Sequence, residues 1–174
     1  MSNVLGIDPS TVSTGYAVMN EEGKLLTWGV IKPNKKKLTE PQQAVFQYQT
    51  LAELIEKWEV KAIGCEDQHR GPNPDTFKKL SRISGYLMLL AGQYDLPFEL
   101  FHPSAWRKTI HGKGNAKKED TLNWAIVTYG LSLTPKDNDI ADAIGICKAA
   151  VLHFSHINTV KLVNMTGGNA HENL

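Results

Sequence analysis

Two apolar runs of strand length in this sequence each end in a carboxylate, and they set the strongest limit on the fold. Residues 4–7, VLGI, are followed by Asp8, and residues 60–65, VKAIGC, are followed by Glu66. Short apolar runs bounded by turn residues are typical of buried strands. Open α/β sheets bind their ligands beyond the carboxyl ends of parallel strands. If the two runs form neighbouring strands, both carboxylates therefore reach one crevice.

The rest of the chain alternates between strand and helix patterns. The residues EEG at 21–23 predict a hairpin turn between two further strands. Apolar residues at helical spacing predict a helix over residues 41–58. Strands that alternate with helices after an N-terminal meander predict an α/β fold, with a mixed sheet covered on both faces. The other predicted elements are strands at 14–20, 24–32 and 97–101, and helices at 76–94, at 104–110, in a segment ending near residue 129, and at 138–154.

Length and composition limit the domain organisation. A chain of 174 residues, 41% hydrophobic and 21% charged, fits one domain with a full core, and no linker or repeat interrupts it. We predict one domain over residues 1–155 and a flexible tail over residues 156–174, where the periodicity fades. The N-terminus lacks a signal-peptide pattern and no apolar stretch approaches membrane length, so we expect a cytoplasmic protein with no membrane partner.

Two more acids open the last predicted helix. Asp139 and Asp142 are three residues apart, which puts both on one helix face. An acid near a helix start is ordinarily a capping residue. Asp142 instead lies among alanines and isoleucines, where capping does not explain a carboxylate. Four carboxylates that converge from two strands and a helix repel one another unless a cation lies between them. Mg²⁺ and Mn²⁺ prefer carboxylate oxygens, and a pair of such ions supports phosphodiester hydrolysis.

Three segments together carry a resemblance to a known family: GIDPSTVSTGY, the strand that closes on Glu66, and DNDIADAIGI. The chain resembles the RuvC family of Holliday junction resolvases, in the ribonuclease H-like superfamily, in register from about Val4 to Phe154. The resemblance implies a ribonuclease H-like five-stranded mixed sheet with helices on both faces. It also implies bound Mg²⁺, for which Mn²⁺ can substitute, and no small-molecule cofactor. The catalytic, metal-binding residues that it implies are Asp8, Glu66, Asp139 and Asp142.

The same resemblance gives meaning to the basic residues, although the formal net charge is only +1. Family members carry two basic residues near the metal site. In the segment AWRKTIHGKGNAKKED, Lys118 occupies the second position and is predicted to be catalytic. The first position falls on Arg107 or Lys108, and the sequence leaves both open. The residues predicted to contact DNA, mainly by neutralising phosphates, are His69, Arg70, Lys78, Lys79, Arg107, Lys108, Lys113 and Lys117.

The loop after Glu66 departs from the family pattern. Where family members carry an aromatic side chain that inserts at the junction, this chain has His69 and Arg70. Both side-chain types can stack on bases, so one interpretation is weaker sequence reading at the cut site. The other is that Pro72 and Pro74 merely shape a turn.

The resemblance implies a metal-dependent endonuclease that cleaves Holliday junctions or related branched DNA by paired nicks. Paired nicks in a two-fold symmetric junction predict a homodimer. The helix at 76–94 is the predicted interface because ISGYLMLLAG is apolar nearly all round, and a charge at Leu87 or Leu90 is expected to separate the subunits. The alternative is that this helix is simply a core element.

Other functions stay open at this point. One is a ribonuclease H-like nuclease that acts on RNA or simple flaps, and another is a catalytically inactive module that binds DNA junctions. An actin-like ATPase also begins with a strand-end aspartate, but it needs about twice this length and a second phosphate loop, which the sequence lacks.

Overall fold

The computed structural model describes residues 2–67 and 73–167, with side chains through residue 157. Every predicted strand and helix is present, with ends close to those expected except at the end of the last helix. A 3-10 turn at Pro135–Asp137 was not expected. The strands are β1 (Asn3–Asp8), β2 (Thr14–Met19), β3 (Leu25–Ile31), β4 (Val60–Glu66) and β5 (Phe98–Phe101). The helices are α1 (Glu40–Lys57), α2 (Pro74–Gln93), α3 (Pro103–His111), α4 (Lys118–Tyr129) and α5 (Asn138–Gly167).

The five strands form one mixed sheet in the order β3-β2-β1-β4-β5. β1, β2 and β3 form an antiparallel meander, whereas β4 runs parallel to β1 and β5 runs parallel to β4. The β2–β3 hairpin closes at Gly23, whose φ of +80° suits a residue without a side chain. The predicted five-stranded mixed sheet is confirmed. Since β1 and β4 are adjacent and parallel, the ends that carry Asp8 and Glu66 lie side by side.

Helices cover both faces of the sheet because alternate residues of a strand point to opposite sides. Val4 of β1 packs in a core that contains buried residues of α4 and α5. Leu5 and Ile7 pack in a second core with residues of α1 and α2. The predicted three-layer α/β arrangement is therefore confirmed, and it places the carboxyl ends of β1 and β4 between the two helical layers.

Glycines allow α5 to lie directly on β1 and β2. A Cβ added at Gly6 would be only 2.5 Å from the backbone nitrogen of Cys147, and one added at Gly15 would be 2.6 Å from the carbonyl carbon of Asp139. Both separations are far shorter than a van der Waals contact. Because Gly15 is the register partner of Asp8, this close approach brings the first turn of α5 to the strand end that carries the first acid.

α5 is longer than the sequence predicted. The expected end was near Phe154, but the helix runs to Gly167, so the first part of the predicted tail is helical. Residues 168–174 lie outside the described part, and the flexibility of the tail stays a prediction. The stretch Pro135–Ile157 also has the length and composition of a membrane span, contrary to the expectation that no apolar stretch does. More than half of this stretch is buried inside the protein, where its apolar residues pack on the sheet.

α2 turns only part of its apolar surface outward. Leu87 and Leu90 are 1% and 0% exposed and pack in the core with the sheet, whereas Met88 and Leu89 are 55% and 66% exposed. A charge at Leu87 or Leu90 would therefore disrupt the core and cannot test an interface as expected. The large apolar side chains of α2 that remain available for an apolar contact are therefore Met88 and Leu89.

Candidate active site

Asp8 and Glu66 occupy the ends of neighbouring parallel strands. The last paired residues before them, Ile7 of β1 and Cys65 of β4, are opposite each other and fully buried. The core therefore fixes the backbone from which both carboxylates project. Asp8 is itself only 8% exposed, and Glu66 is half-buried.

The first turns of α5 bring Asp139 and Asp142 to the same edge of the sheet. The helix start is fixed by the preceding 3-10 turn, where the Asp137 carboxylate accepts hydrogen bonds from the backbone and hydroxyl of Thr134. Asp137 is thus occupied as a cap, whereas Asp142 lies one turn into the helix and is 3% exposed. The two strand-end acids and the two helix acids lie close enough for their charges to interact, and their role as one metal site stays a prediction.

The electrostatics of the four acids reflect this proximity. Burial raises the pKa of Asp8 well above its ordinary value, and the carboxylates of Glu66, Asp142 and Asp139 raise it further. Burial likewise raises the pKa of Asp142 to about 6, although two nearby cations oppose the effect. Carboxyl groups that are costly to ionise together are expected where a cation is normally bound.

Two basic side chains face Asp142. The guanidinium of Arg107 lies 3.4 Å from Asp142 Oδ2, and Lys118 Nζ lies 4.0 Å from the same oxygen. Arg107 is mostly buried at 16% exposure, whereas Lys118 is 59% exposed. Lys108, the next residue of α3, is exposed. Of the two residues that the sequence left open, Arg107 is therefore the one at the acidic cluster.

Two neutral donors that the sequence did not predict also bind the acids. The Ser13 hydroxyl donates a hydrogen bond of 2.6 Å to Asp139 Oδ2, and the Trp106 indole N–H donates one of 2.8 Å to Glu66 Oε2. The only signal in the sequence is weak: a tryptophan beside the Arg107–Lys108 pair, whose N–H needs a partner if it is buried. Ser13 has no such signal, because hydroxyl residues are common in turns.

Two features of the acids suit a divalent cation: they offer carboxylate oxygens, and one of these oxygens has no partner in the protein. Asp142 Oδ1 is buried without a hydrogen-bond partner in the protein, which is costly for a carboxylate oxygen unless something else binds it. Within the described ranges, however, no group of three or more acidic, histidine or cysteine side chains is already arranged to hold an ion. Three of the four carboxylates are instead bound by protein donors, Glu66 by Trp106, Asp139 by Ser13 and Asp142 by Arg107.

The remaining basic residues predicted to contact DNA are spread over the surrounding surface. Lys113 pairs with Asp120 at 3.8 Å, and the exposed Lys117 precedes α4. Lys78 pairs with Asp75 within α2. His69 and Arg70 lie outside the described residues.

A cavity of about 540 Å³ lies between α1 and α2. Lys79 lines it together with Lys35 and Arg82, and Arg82 is ion-paired with Glu40 at 2.8 Å. Lys79 is therefore part of a basic groove, and this groove includes two cations beyond the predicted set.

Comparison with known proteins agrees with this arrangement. The family model described as crossover junction endodeoxyribonuclease RuvC matches residues 4–153. The RuvC protein of Alkaliphilus metalliredigens is 29% identical over 163 residues, which cover 91% of this chain and 99% of that protein. The RuvC protein of Rickettsia conorii is 32% identical over 146 residues, covering 82% and 92%.

Solved structures agree on the fold. The structure of Thermus thermophilus RuvC matches with a TM-score of 0.76 at 21% identity, over 90% of this chain and 97% of that one. The same protein in complex with a Holliday junction substrate matches with a TM-score of 0.77 at 19% identity, over 91% and 98%. The family match extends from β1 into α5 and includes all four acids. The chain therefore belongs to the RuvC family of crossover junction endodeoxyribonucleases.

Proposed function

We propose that this protein resolves Holliday junctions by paired, divalent-metal-dependent nicks in DNA strands. The observation that carries the proposal is the meeting of Asp8, Glu66, Asp139 and Asp142 beside two cations, on a chain whose relatives are named for this reaction. A Thermus thermophilus relative with the same fold has been solved in complex with a Holliday junction substrate.

The four acids are the proposed metal ligands. Their mutual repulsion and the orphaned oxygen of Asp142 both favour a bound cation. We infer Mg²⁺ as the resident ion with Mn²⁺ as a functional substitute, because both are hard ions that prefer carboxylate oxygens. When bound, such ions lower the pKa of an attacking water and stabilise the charge on the phosphate.

Arg107 and Lys118 have different proposed roles because they differ in exposure. The mostly buried Arg107 offsets the charge of Asp142 and holds that side chain in place. Lys118 stands on the first turn of α4 and is largely open to solvent. It is therefore suited to meet the phosphate at the cut site and to stabilise negative charge as the bond breaks. The other proposed DNA contacts are Lys78, Lys79, Lys108, Lys113 and Lys117 together with His69 and Arg70.

A homodimer is the proposed active form. A four-way junction has two-fold symmetry, and one chain carries one set of the four acids, so two symmetric nicks call for two chains. The exposed Met88 and Leu89 of α2 form the candidate contact, because large apolar side chains exposed side by side on a helix favour association. Because the relatives are named for cleavage of DNA junctions, we infer that the protein works in the compartment that holds the DNA, and we take this to be the cytoplasm.

The test is digestion of a set of synthetic substrates of matched sequence: four-way junctions, flaps, forks and RNA–DNA hybrids, each with Mg²⁺ and with Mn²⁺. The expected result is paired nicks in the four-way junction and little cleavage elsewhere. Asp8→Asn is the control that should bind the junction without cutting it. Preferred cleavage of hybrids or flaps would instead establish the ribonuclease H-like alternative. Binding without any cleavage would establish an inactive junction-binding module.

A further inference from the structure

Trp106 contacts one acid of the cluster directly and a second through Arg107. Its indole N–H donates to Glu66 Oε2 at 2.8 Å, and the guanidinium carbon of Arg107 lies 4.5 Å from the centre of its ring. Arg107 in turn pairs with Asp142. One aromatic side chain therefore links the acid at the end of β4 with the acid on α5.

The indole has almost no freedom to move. Trp106 is 0% exposed and packs with Ile146 and Ala149 of α5. α5 leaves room for the ring at Gly145, where an added Cβ would lie 2.7 Å from a ring carbon. The direction of the N–H bond is consequently fixed by the packing of α3 against α5, and the hydrogen bond restricts rotation of the Glu66 carboxylate.

We propose that Trp106 is a positioning residue for metal binding, which holds the Glu66 carboxylate in the orientation that receives the ion and supports Arg107 beside Asp142. The inference deepens the proposed function and rests on it, since it takes Glu66 to be a metal ligand. Carboxylates that bind metals are generally hydrogen-bonded by a surrounding layer of side chains, and loss of such a partner typically lowers metal affinity 10–100-fold. A buried tryptophan with a merely satisfied N–H would have no such effect.

Two variants remove this support in different ways. Trp106→Phe keeps an aromatic ring and loses the N–H donor. Gly145→Ala keeps the indole and displaces it, without changing any polar group of the site. Trp124→Phe is the matched control. Trp124 packs at the edge of the core that contains Val4, against His111 and Tyr129. Glu66→Gln tests the metal role of Glu66 itself.

The first measurement is Mn²⁺ affinity without DNA, from the electron paramagnetic resonance signal of free Mn²⁺. Trp106→Phe and Gly145→Ala should each raise the Mn²⁺ Kd about 10-fold, while Trp124→Phe stays within about twofold of the original chain. Thermal unfolding in the absence of metal identifies any variant that is not folded. If Glu66→Gln weakens Mn²⁺ binding and folded Trp106→Phe does not, the positioning role is refuted and the proposed metal site stands. If Glu66→Gln binds Mn²⁺ as the original chain does, the proposed metal role of Glu66 fails.

The second measurement reads the hydrogen bond directly and needs neither activity nor a stable Trp106 variant. The chain has four tryptophans, and their indole N–H groups give separate signals in a ¹⁵N-correlated nuclear magnetic resonance spectrum. The Trp106 signal is the one lost in Trp106→Phe, or the one that shifts most in Gly145→Ala. It should move in Glu66→Gln and on addition of Mg²⁺, with the Trp124 signal unchanged. If the Trp106 signal moves neither in Glu66→Gln nor on addition of Mg²⁺, the proposal is overturned.

Discussion

Asp142→Asn should make the metal-free protein more stable while it abolishes cleavage. The pKa of about 6 for Asp142 lies about two pH units above its ordinary 3.8, mainly because the group is buried. Each unit corresponds to about 1.4 kcal/mol, so the ionised carboxylate lowers the free energy of unfolding by about 3 kcal/mol near neutral pH. Asparagine has nearly the same shape without the charge, and it should recover up to that amount.

The pH dependence gives this prediction its sign. A folded-state pKa raised above the unfolded value means that the folded protein binds more protons between pH 3.8 and about 6. Stability attributable to this group therefore falls as pH rises through that range, and the full cost is present above it. The advantage of Asp142→Asn should be largest near pH 7.5, about half as large at pH 5, and about a fifth as large at pH 4.

The assay is urea unfolding in EDTA at these three pH values. A difference of about 3 kcal/mol moves the midpoint by about 1 M or more, since urea slopes are about 1–3 kcal/mol per molar. Asp120→Asn is the control, because Asp120 is exposed and accepts a hydrogen bond from the Lys117 backbone that lowers its pKa, so its loss should not stabilise the protein. An Asp142→Asn variant no more stable than the original at pH 7.5, or an advantage that does not shrink at pH 5, would refute the reasoning.

Three further predictions concern Lys118, the position of α5 and the dimer. Lys118→Ala should lower the single-turnover cleavage rate at saturating junction about 10²-fold with little change in junction Kd; a loss confined to affinity would make Lys118 only a phosphate anchor. Gly15→Ala should push the first turn of α5 away from β2, because its Cβ would lie 2.6 Å from the Asp139 carbonyl carbon, and should lower cleavage by about 10²-fold; full activity would mean that the site tolerates this shift. Leu89→Glu should yield monomers in sedimentation that nick junctions singly, whereas the control Val127→Glu, at a position that is still more exposed, should sediment as the original chain does. A dimeric Leu89→Glu would remove α2 from the interface.

The strands, the helices and the four acids of the proposed site could be predicted from local patterns in the sequence together with the family resemblance. Apolar runs of strand length ended at Asp8 and Glu66, and spacing of three residues put Asp139 and Asp142 on one helix face. Each of these signals lies within one element, because side-chain direction repeats with a fixed period in strands and helices. Alternation of strands and helices then limited the sheet to the mixed arrangement that was found.

The partners of the acids depended on the tertiary structure. Trp106 reaches Glu66 across 40 positions of sequence and Ser13 reaches Asp139 across 126. No local period relates residues so far apart, so their pairing follows only from how α3 and α5 pack on the sheet. The choice between Arg107 and Lys108 likewise depended on which side of α3 faces α5. In the same way, Leu87 is buried and Leu89 is exposed because of the side of α2 that faces the sheet. The sequence determined which groups the site contains, and the packing of helices on the sheet decided which group binds which, because contacts between distant segments exist only once the core has formed.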